Sequence, residues 1–252
     1  MCAQCVRTTT KVLQTMTKPN VYSIEPIGTL ESPFKQKFAI PRQPALAKAQ
    51  GRIKLTPPFS DPNSLRQIDT YSHLWLLFLF HENLDKGWSP TVRAPRLGGN
   101  TRTGVFATRS TFRPNGIGMS AVENLGVEHT ASGLFLHVGN IDLLHGTPII
   151  DIKPYIPYSD AIQNASAALL DDKPVPNLAV NFTEQARAQL ARQPQQDLPL
   201  LIENCLSQDP RPAYKQSQLD DPKDYQVQLY DADVHWRVSQ GEVWVTEIVS
   251  LV

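Results

Sequence analysis

A chain of 252 residues in which 24 Lys and Arg offset 24 Asp and Glu has no overall charge to draw it onto nucleic acid or anionic membrane. Any anionic partner must therefore meet a local patch. Hydrophobic residues at 41%, charged residues at 19% and 21 prolines exclude a disordered polymer and a long coiled coil, and predict a folded, turn-rich protein of one or two domains.

Residues 1–20 are polar, with Lys11, Lys18 and the run Thr8 to Thr10, and lack the apolar stretch of a signal peptide. They read as a flexible N-terminal extension of a cytoplasmic protein. Cys2 and Cys5 form a Cys-x-x-Cys, but the remaining cysteine, Cys205, is too remote to suggest a four-ligand zinc site or a disulfide framework. No metal is expected.

From Val21 to about Tyr158, short apolar runs alternate with Gly, Pro, Asn and Asp, and no stretch keeps a helical period for three turns. That pattern is mainly β. The predicted strands are Tyr22–Leu30, Arg52–Leu55, His73–Phe80, Gly104–Thr108, Gly118–Leu125, Leu134–Val138 and Pro148–Ile152, enough for a barrel or tightly curled sheet. His73–Phe80 lacks polar alternation and is expected as a central strand or one continuing into an interface. Its apolar run, Leu74–Phe80, is far shorter than the roughly 20 residues of a membrane helix, so no membrane partner is expected.

A transition rich in Asp, Ala and Pro follows from Ser159 to Leu178, and a domain boundary is placed there. Beyond it, Phe182, Ala186 and Leu190 recur at helical spacing, with Asn181 and Glu184 as a capping box, and a second helix is predicted over Leu198–Leu206. Strands over Tyr225–Tyr230, Val234–Val238 and Glu242–Val249 complete a small C-terminal α+β domain. The division is thus 1–20, a β domain over 21–165, and an α+β domain over 175–252.

Four clusters carry the unusual chemistry. Phe38–Pro44 stiffens an arginine and an amide between two prolines. His81 and Glu82 stand at the exit of the apolar strand, where scaffolds often place sites. Between Val92 and Gly118, five arginines (Arg93, Arg96, Arg102, Arg109, Arg113) are set among Gly, Asn and Pro, which points to an anionic ligand. The fourth is Gly139–Pro148 with Asp151–Tyr155, where Asp142 and Asp151 are candidate proton acceptors. His73, His81, Asp142 and His145 show no HxxxH or HxH spacing, and neither a phosphate loop nor a nucleophile elbow is present.

Phe38–Pro44, Tyr71–Trp75, Val92–Asn100, Gly104–Ser110, Phe112–Asn115 and Asp151–Tyr155 closely resemble the TrmO (TsaA-like, YaeB-like) family, and Asp209–Tyr214 resembles the C-terminal module of its longer bacterial members. The resemblance implies a single-sheeted β-barrel, a homodimer, and an S-adenosylmethionine-dependent tRNA methyltransferase. Its substrate would be the N6 nitrogen of threonylcarbamoyladenosine beside the anticodon of threonine tRNA. It implies a cofactor site of Pro41, Arg42, Gln43, His81, Glu82, Arg109, Met119, Asp142, Leu143, Leu144 and His145, the last standing where the family usually has Asp. Asp142 or Glu82 would be the base, since a urea-like nitrogen is poorly nucleophilic until its proton leaves. Arg93, Arg96, Arg102, Arg113 and Lys153, extended by Arg211 and Lys215, are expected to meet tRNA. The rival readings are a non-catalytic RNA-binding module and a metal-dependent hydrolase.

Overall fold

The computed structural model describes residues 21–41, 43–93, 101–167 and 175–251. The first module holds β1 (Gly28–Glu31), β2 (Gln50–Leu55), β3 (His73–Leu79), β4 (Thr91–Arg93), β5 (Arg102–Gly104), β6 (Ile117–Thr130), β7 (Gly133–Gly139) and β8 (Pro148–Pro154). Six of these form one antiparallel ladder in the order β1, β2, β7, β6, β3, β8, and β8 pairs back with β1 to close a barrel. The two-residue period of a strand sends Leu30, Ile53, Leu74, Leu76, Val122, Leu136, Val138 and Ile149 inward, all fully buried. Space inside is tight. A Cβ on Gly118 would lie 2.3 Å from the Phe78 ring on the facing strand.

β3 alternates after all, with Leu74, Leu76 and Phe78 buried and Trp75, Leu77 and Leu79 half-buried on the outer face. Its apolar continuity comes from that outer stripe. β6 runs past the predicted end at Leu125, because Gly126 takes φ 103° in a bulge where the Asn124 side chain accepts from its N–H (3.1 Å). The expected strand over Gly104–Thr108 is corrected: pairing stops at Gly104, and Val105–Ala107 is a 3-10 turn. β1 likewise starts only at Gly28, with Val21 and Tyr22 exposed ahead of it.

After a short turn, α1 (Pro157–Asp160), the second module contains β9 (Val180–Phe182), α2 (Glu184–Leu190), α3 (Leu198–Leu206), β10 (Asp221–Leu229), β11 (Ala232–Ser239) and β12 (Glu242–Ser250). Its sheet has the order β10, β11, β12, β9, with β9 parallel to β12. The capping box is corrected too. Asn181 lies in β9 and donates to Glu242 (2.8 Å), while Thr183 caps α2 by accepting from the Ala186 N–H (3.2 Å). α3 buries Leu198, Leu201, Ile202, Cys205 and Leu206 in the apolar core, and burial pushes the Cys205 thiol up to about 12, leaving it inert.

The two modules share one apolar core. Phe34 bridges to Leu229, the Tyr230 N–H donates to the Pro33 carbonyl (2.8 Å), and Asn204 and Gln208 donate to the Ala47 and Leu46 carbonyls. The loop between β1 and β2 is therefore held from both sides. Among the described residues no helix is long and apolar enough to cross a membrane.

Candidate active site

Three loops meet at one end of the barrel: 33–49 between β1 and β2, 105–116 before β6, and 140–147 between β7 and β8. Ile141 and Leu143 are buried, and the Ala45 N–H donates to the Asn140 carbonyl (3.1 Å), so the 140–147 loop is pinned on both sides of Asp142. The Ser120 hydroxyl donates to Asp142 Oδ1 (2.8 Å). Burial pushes the Asp142 carboxyl up to about 6, against the bond from Ser120, its own backbone N–H and the charge of Arg109. Arg109 in turn donates to the Gln43 side-chain carbonyl. Gln43, Arg109, Ser120 and Asp142 thus form one connected group.

Pro44 and Ala121, the chain neighbours of Gln43 and Ser120, line a cavity of about 340 Å³ together with Ala45, His73, Asn140 and Tyr155. Pro41 is buried at its loop, and Arg42 lies outside the described residues. Ser120 drew no notice in the sequence. Only the strand register, which turns it inward and opposite Leu76, brings it to Asp142.

His81 and Glu82, two more of the expected cofactor residues, begin a 3-10 turn after β3. Glu82 is exposed in the 3-10 turn His81–Lys86 and forms an ion pair with Lys37 (3.0 Å). Lys37 also donates to Asn83 Oδ1 (2.8 Å), and Asn83 donates to Thr111 (2.5 Å), which ties this turn to the loop carrying Arg109. Met119 is 56% exposed on the outer face of β6, opposite in direction to Ser120, and Leu143 is part of the core. Leu144 uses its carbonyl on Thr147. His145 accepts from the Ser32 N–H (3.2 Å) and lines a different cavity with Glu31, Arg52, His137 and Tyr230. His73, His81, Asp142 and His145 do not converge; among the described residues no three His, Cys, Asp or Glu are grouped to hold a metal ion.

Of the cations expected on RNA, Arg93 and Arg102 face each other across β4 and β5 and are exposed, and Arg113 is half-buried. Arg96 lies outside the described residues. Lys153 pairs with Asp151 (3.1 Å). Arg211 requires a correction: it is 2% exposed, with its guanidinium forked onto Asp209 (2.7 and 2.8 Å) and onto the Gln218 carbonyl (3.1 Å). Lys215 pairs with the buried Asp221 (3.2 Å). Arg211 serves the fold of the Asp209–Tyr214 segment, because a guanidinium enclosed by its own partners presents nothing to a phosphate, whereas the Lys215 side chain keeps 26% of its surface in water.

The tRNA-methyltransferase O N-terminal domain model matches residues 29–161, and the TrmO C-terminal domain model matches residues 175–251. The tRNA (adenine(37)-N6)-methyltransferase of Escherichia coli is 47% identical over 233 residues, covering 90% of this chain and 98% of that protein. A Pseudomonas aeruginosa protein that carries the name of an S-adenosylmethionine-dependent methyltransferase is 50% identical over 226 residues, covering 88% of this chain and 95% of its own length. A crystal structure of TrmO from Pseudomonas aeruginosa superposes with a TM-score of 0.74 at 41% identity, covering 92% of this chain and all of that one.

Proposed function

The chain belongs to the tRNA-methyltransferase O family, and from that premise we propose that it is an S-adenosylmethionine-dependent tRNA (adenine-N6)-methyltransferase acting on threonylcarbamoyladenosine beside the anticodon of threonine tRNA. The observation that carries the site is Asp142: a half-buried carboxylate, raised to about 6, adjacent to an arginine that no carboxylate pairs with among the described residues.

This donor set fits the cofactor. Arg109, held by Gln43, suits a carboxylate, and the neighbouring cavity at Pro44, Ala45 and Asn140 offers apolar wall and backbone polar groups for a purine. When bound, S-adenosylmethionine supplies an electrophilic methyl group. Asp142 would accept the proton that N6 gives up on methylation. Ser120 keeps the carboxylate oriented through Oδ1 and leaves Oδ2 for that proton. Glu82, exposed and paired with Lys37, suits a supporting role at the rim. Proximity within such a site is worth about 7–11 kcal/mol of barrier. The outer stripe of Trp75, Leu77, Leu79 and Met119 supports a homodimer, since apolar residues on a barrel exterior are otherwise left to water.

The test is transfer of labelled methyl from S-adenosylmethionine to tRNA purified from cells lacking this protein, beside tRNA lacking the threonylcarbamoyl group. Incorporation only into the modified tRNA is expected. Equal incorporation into both would overturn the substrate, and none, in a sample that still bound tRNA, would favour the RNA-binding module.

A further inference from the structure

Three aromatic side chains between residues 88 and 113 are left in water: Trp88 is 56% exposed, Phe106 76% and Phe112 38%. They are brought together by the backbone. The Ser89 N–H donates to the Phe112 carbonyl (3.1 Å), the Val105 N–H donates to the Pro90 carbonyl (3.0 Å), and β4 pairs with β5 from Thr91 to Arg93. Each ring is therefore on, or one residue from, a bond that closes this hairpin. Among the described residues none of the three stacks on another ring.

Arg93, Arg102 and Arg113 are set among them, and no carboxylate of the described residues lies within ion-pair distance of any of the three. Arg102 donates to the Thr91 hydroxyl (3.0 Å) and Arg113 to the Thr108 carbonyl (3.4 Å), bonds that hold each guanidinium in place and leave most of its N–H groups free. In a chain of zero net charge, uncompensated arginines interleaved with bare rings match one chemistry above others: phosphates spaced between unstacked bases. Paired bases hide their faces and give the rings nothing to cover.

We propose that Trp88, Phe106 and Phe112 form a stacking platform for unpaired nucleobases of the tRNA anticodon loop, with Arg93, Arg102 and Arg113 on the intervening phosphates. The proposal rests on the tRNA reading above and names how that substrate is held. The platform continues into the candidate active site, since Arg109 and Thr111, on the same loop as Phe106 and Phe112, join Gln43 and Asn83. Bases seated on the rings present a neighbouring adenine to Asp142.

The experiment measures binding of the full chain to an anticodon stem-loop RNA and to a blunt RNA duplex of equal length, for the parent, Trp88→Leu, Phe106→Leu and Phe106→Tyr. Each Leu variant should weaken stem-loop binding by roughly 5- to 150-fold, the range for losing one stacked base. Phe106→Tyr should retain it, the duplex should bind weakly in every case, and S-adenosylmethionine affinity and sedimentation should stay unchanged. Leu variants that bind the stem-loop like the parent, or a duplex that binds as well as the stem-loop, would overturn the platform. A shift in oligomeric state in the Leu variants would also overturn it, by assigning the rings to contact between copies of the chain. Loss of methyl transfer in the parent with this binding pattern intact would instead defeat the catalytic reading and leave the platform standing.

Discussion

The Phe38 ring lies nearly parallel to the Trp236 indole, with centroids 6.5 Å apart and planes 11° apart, and it stacks equally on Tyr225 at 6.4 Å. One residue of the first module is thus clamped by two strands of the second, three positions before Pro41 and five before Gln43. This gives the C-terminal module a mechanical role at the site: it sets the position of the loop that holds Arg109. Phe38→Ala should destabilise the protein by about 2 kcal/mol, a typical cost for a lost partly buried aromatic. It should also raise the Kd for S-adenosylmethionine by roughly tenfold. Thermal melts and calorimetric titration separate the two effects, and a lowered melting point with unchanged cofactor affinity would show that the clamp does not reach the site.

The raised Asp142 carboxyl sets the expected pH dependence. Its folded value near 6 is above the ordinary 3.8, so the folded protein holds this proton more tightly than the unfolded chain does. This group's contribution to stability therefore falls as pH rises from about 4 to about 6. Activity should run the other way, because only the ionised carboxylate accepts the N6 proton. With saturating cofactor, the single-turnover rate should rise through pH 6 and level above it. Asp142→Asn should remove that limb and lower the plateau by about 10²- to 10⁴-fold. A variant that keeps the rate and loses only cofactor affinity would restrict Asp142 to binding.

How far the site was legible in the sequence follows from what each part depends on. Residue identity alone marked Asp142, Arg109 and Gln43, because charged and amide groups amid Gly and Pro stand out on any strand-rich background. Most of the barrel's strands were visible as short apolar runs set off by Gly, Pro, Asn and Asp, the residues that make turns. Ser120 and Phe38 were not visible, as their roles arise from pairing with Leu76 across the ladder and from stacking on a module nearly 200 residues away. Arg211 misled for the same reason in reverse. The sequence reading adds it to the cations expected on tRNA, whereas Asp209, two residues earlier, folds back onto it in a buried fork. Gly126 read as the end of a strand that in fact continues through a bulge.

Arg211 and Arg102 should consequently separate stability from RNA binding. Replacing Arg211 by Met leaves the Asp209 and Asp221 carboxylates buried without their guanidinium. Breaking one side of such a pair costs about 3–5 kcal/mol. Arg102→Ala touches an exposed side chain that, among the described residues, is bonded only to Thr91, and should leave the melting point nearly unchanged. In tRNA titrations across salt concentrations, Arg102→Ala should lower the slope of log affinity against log salt by about one, the contribution of a single phosphate contact. Arg211→Met, measured at a temperature where it is still folded, should leave the slope at the parent value.

Glu82 and its neighbour Asn83 offer the last separation. Glu82 is the more conspicuous residue for acid–base chemistry, yet it is exposed and among the described residues its carboxylate meets only Lys37, an arrangement worth about 0–1 kcal/mol when solvent screens it. Asn83 is 9% exposed and joins two loops, accepting from Lys37 through Oδ1 and donating to Thr111 through Nδ2. Removing its amide leaves the Lys37 and Thr111 groups without their partner and frees the segment that bears Arg109. Glu82→Gln should therefore keep the single-turnover methyl-transfer rate within a few-fold of the parent, while Asn83→Ala should raise the Kd for S-adenosylmethionine by roughly tenfold through the displaced Arg109. If Glu82→Gln instead lost the pH-dependent limb near 6 that Asp142→Asn is expected to remove, the proton acceptor would be Glu82, and Asp142 would be left as its electrostatic partner.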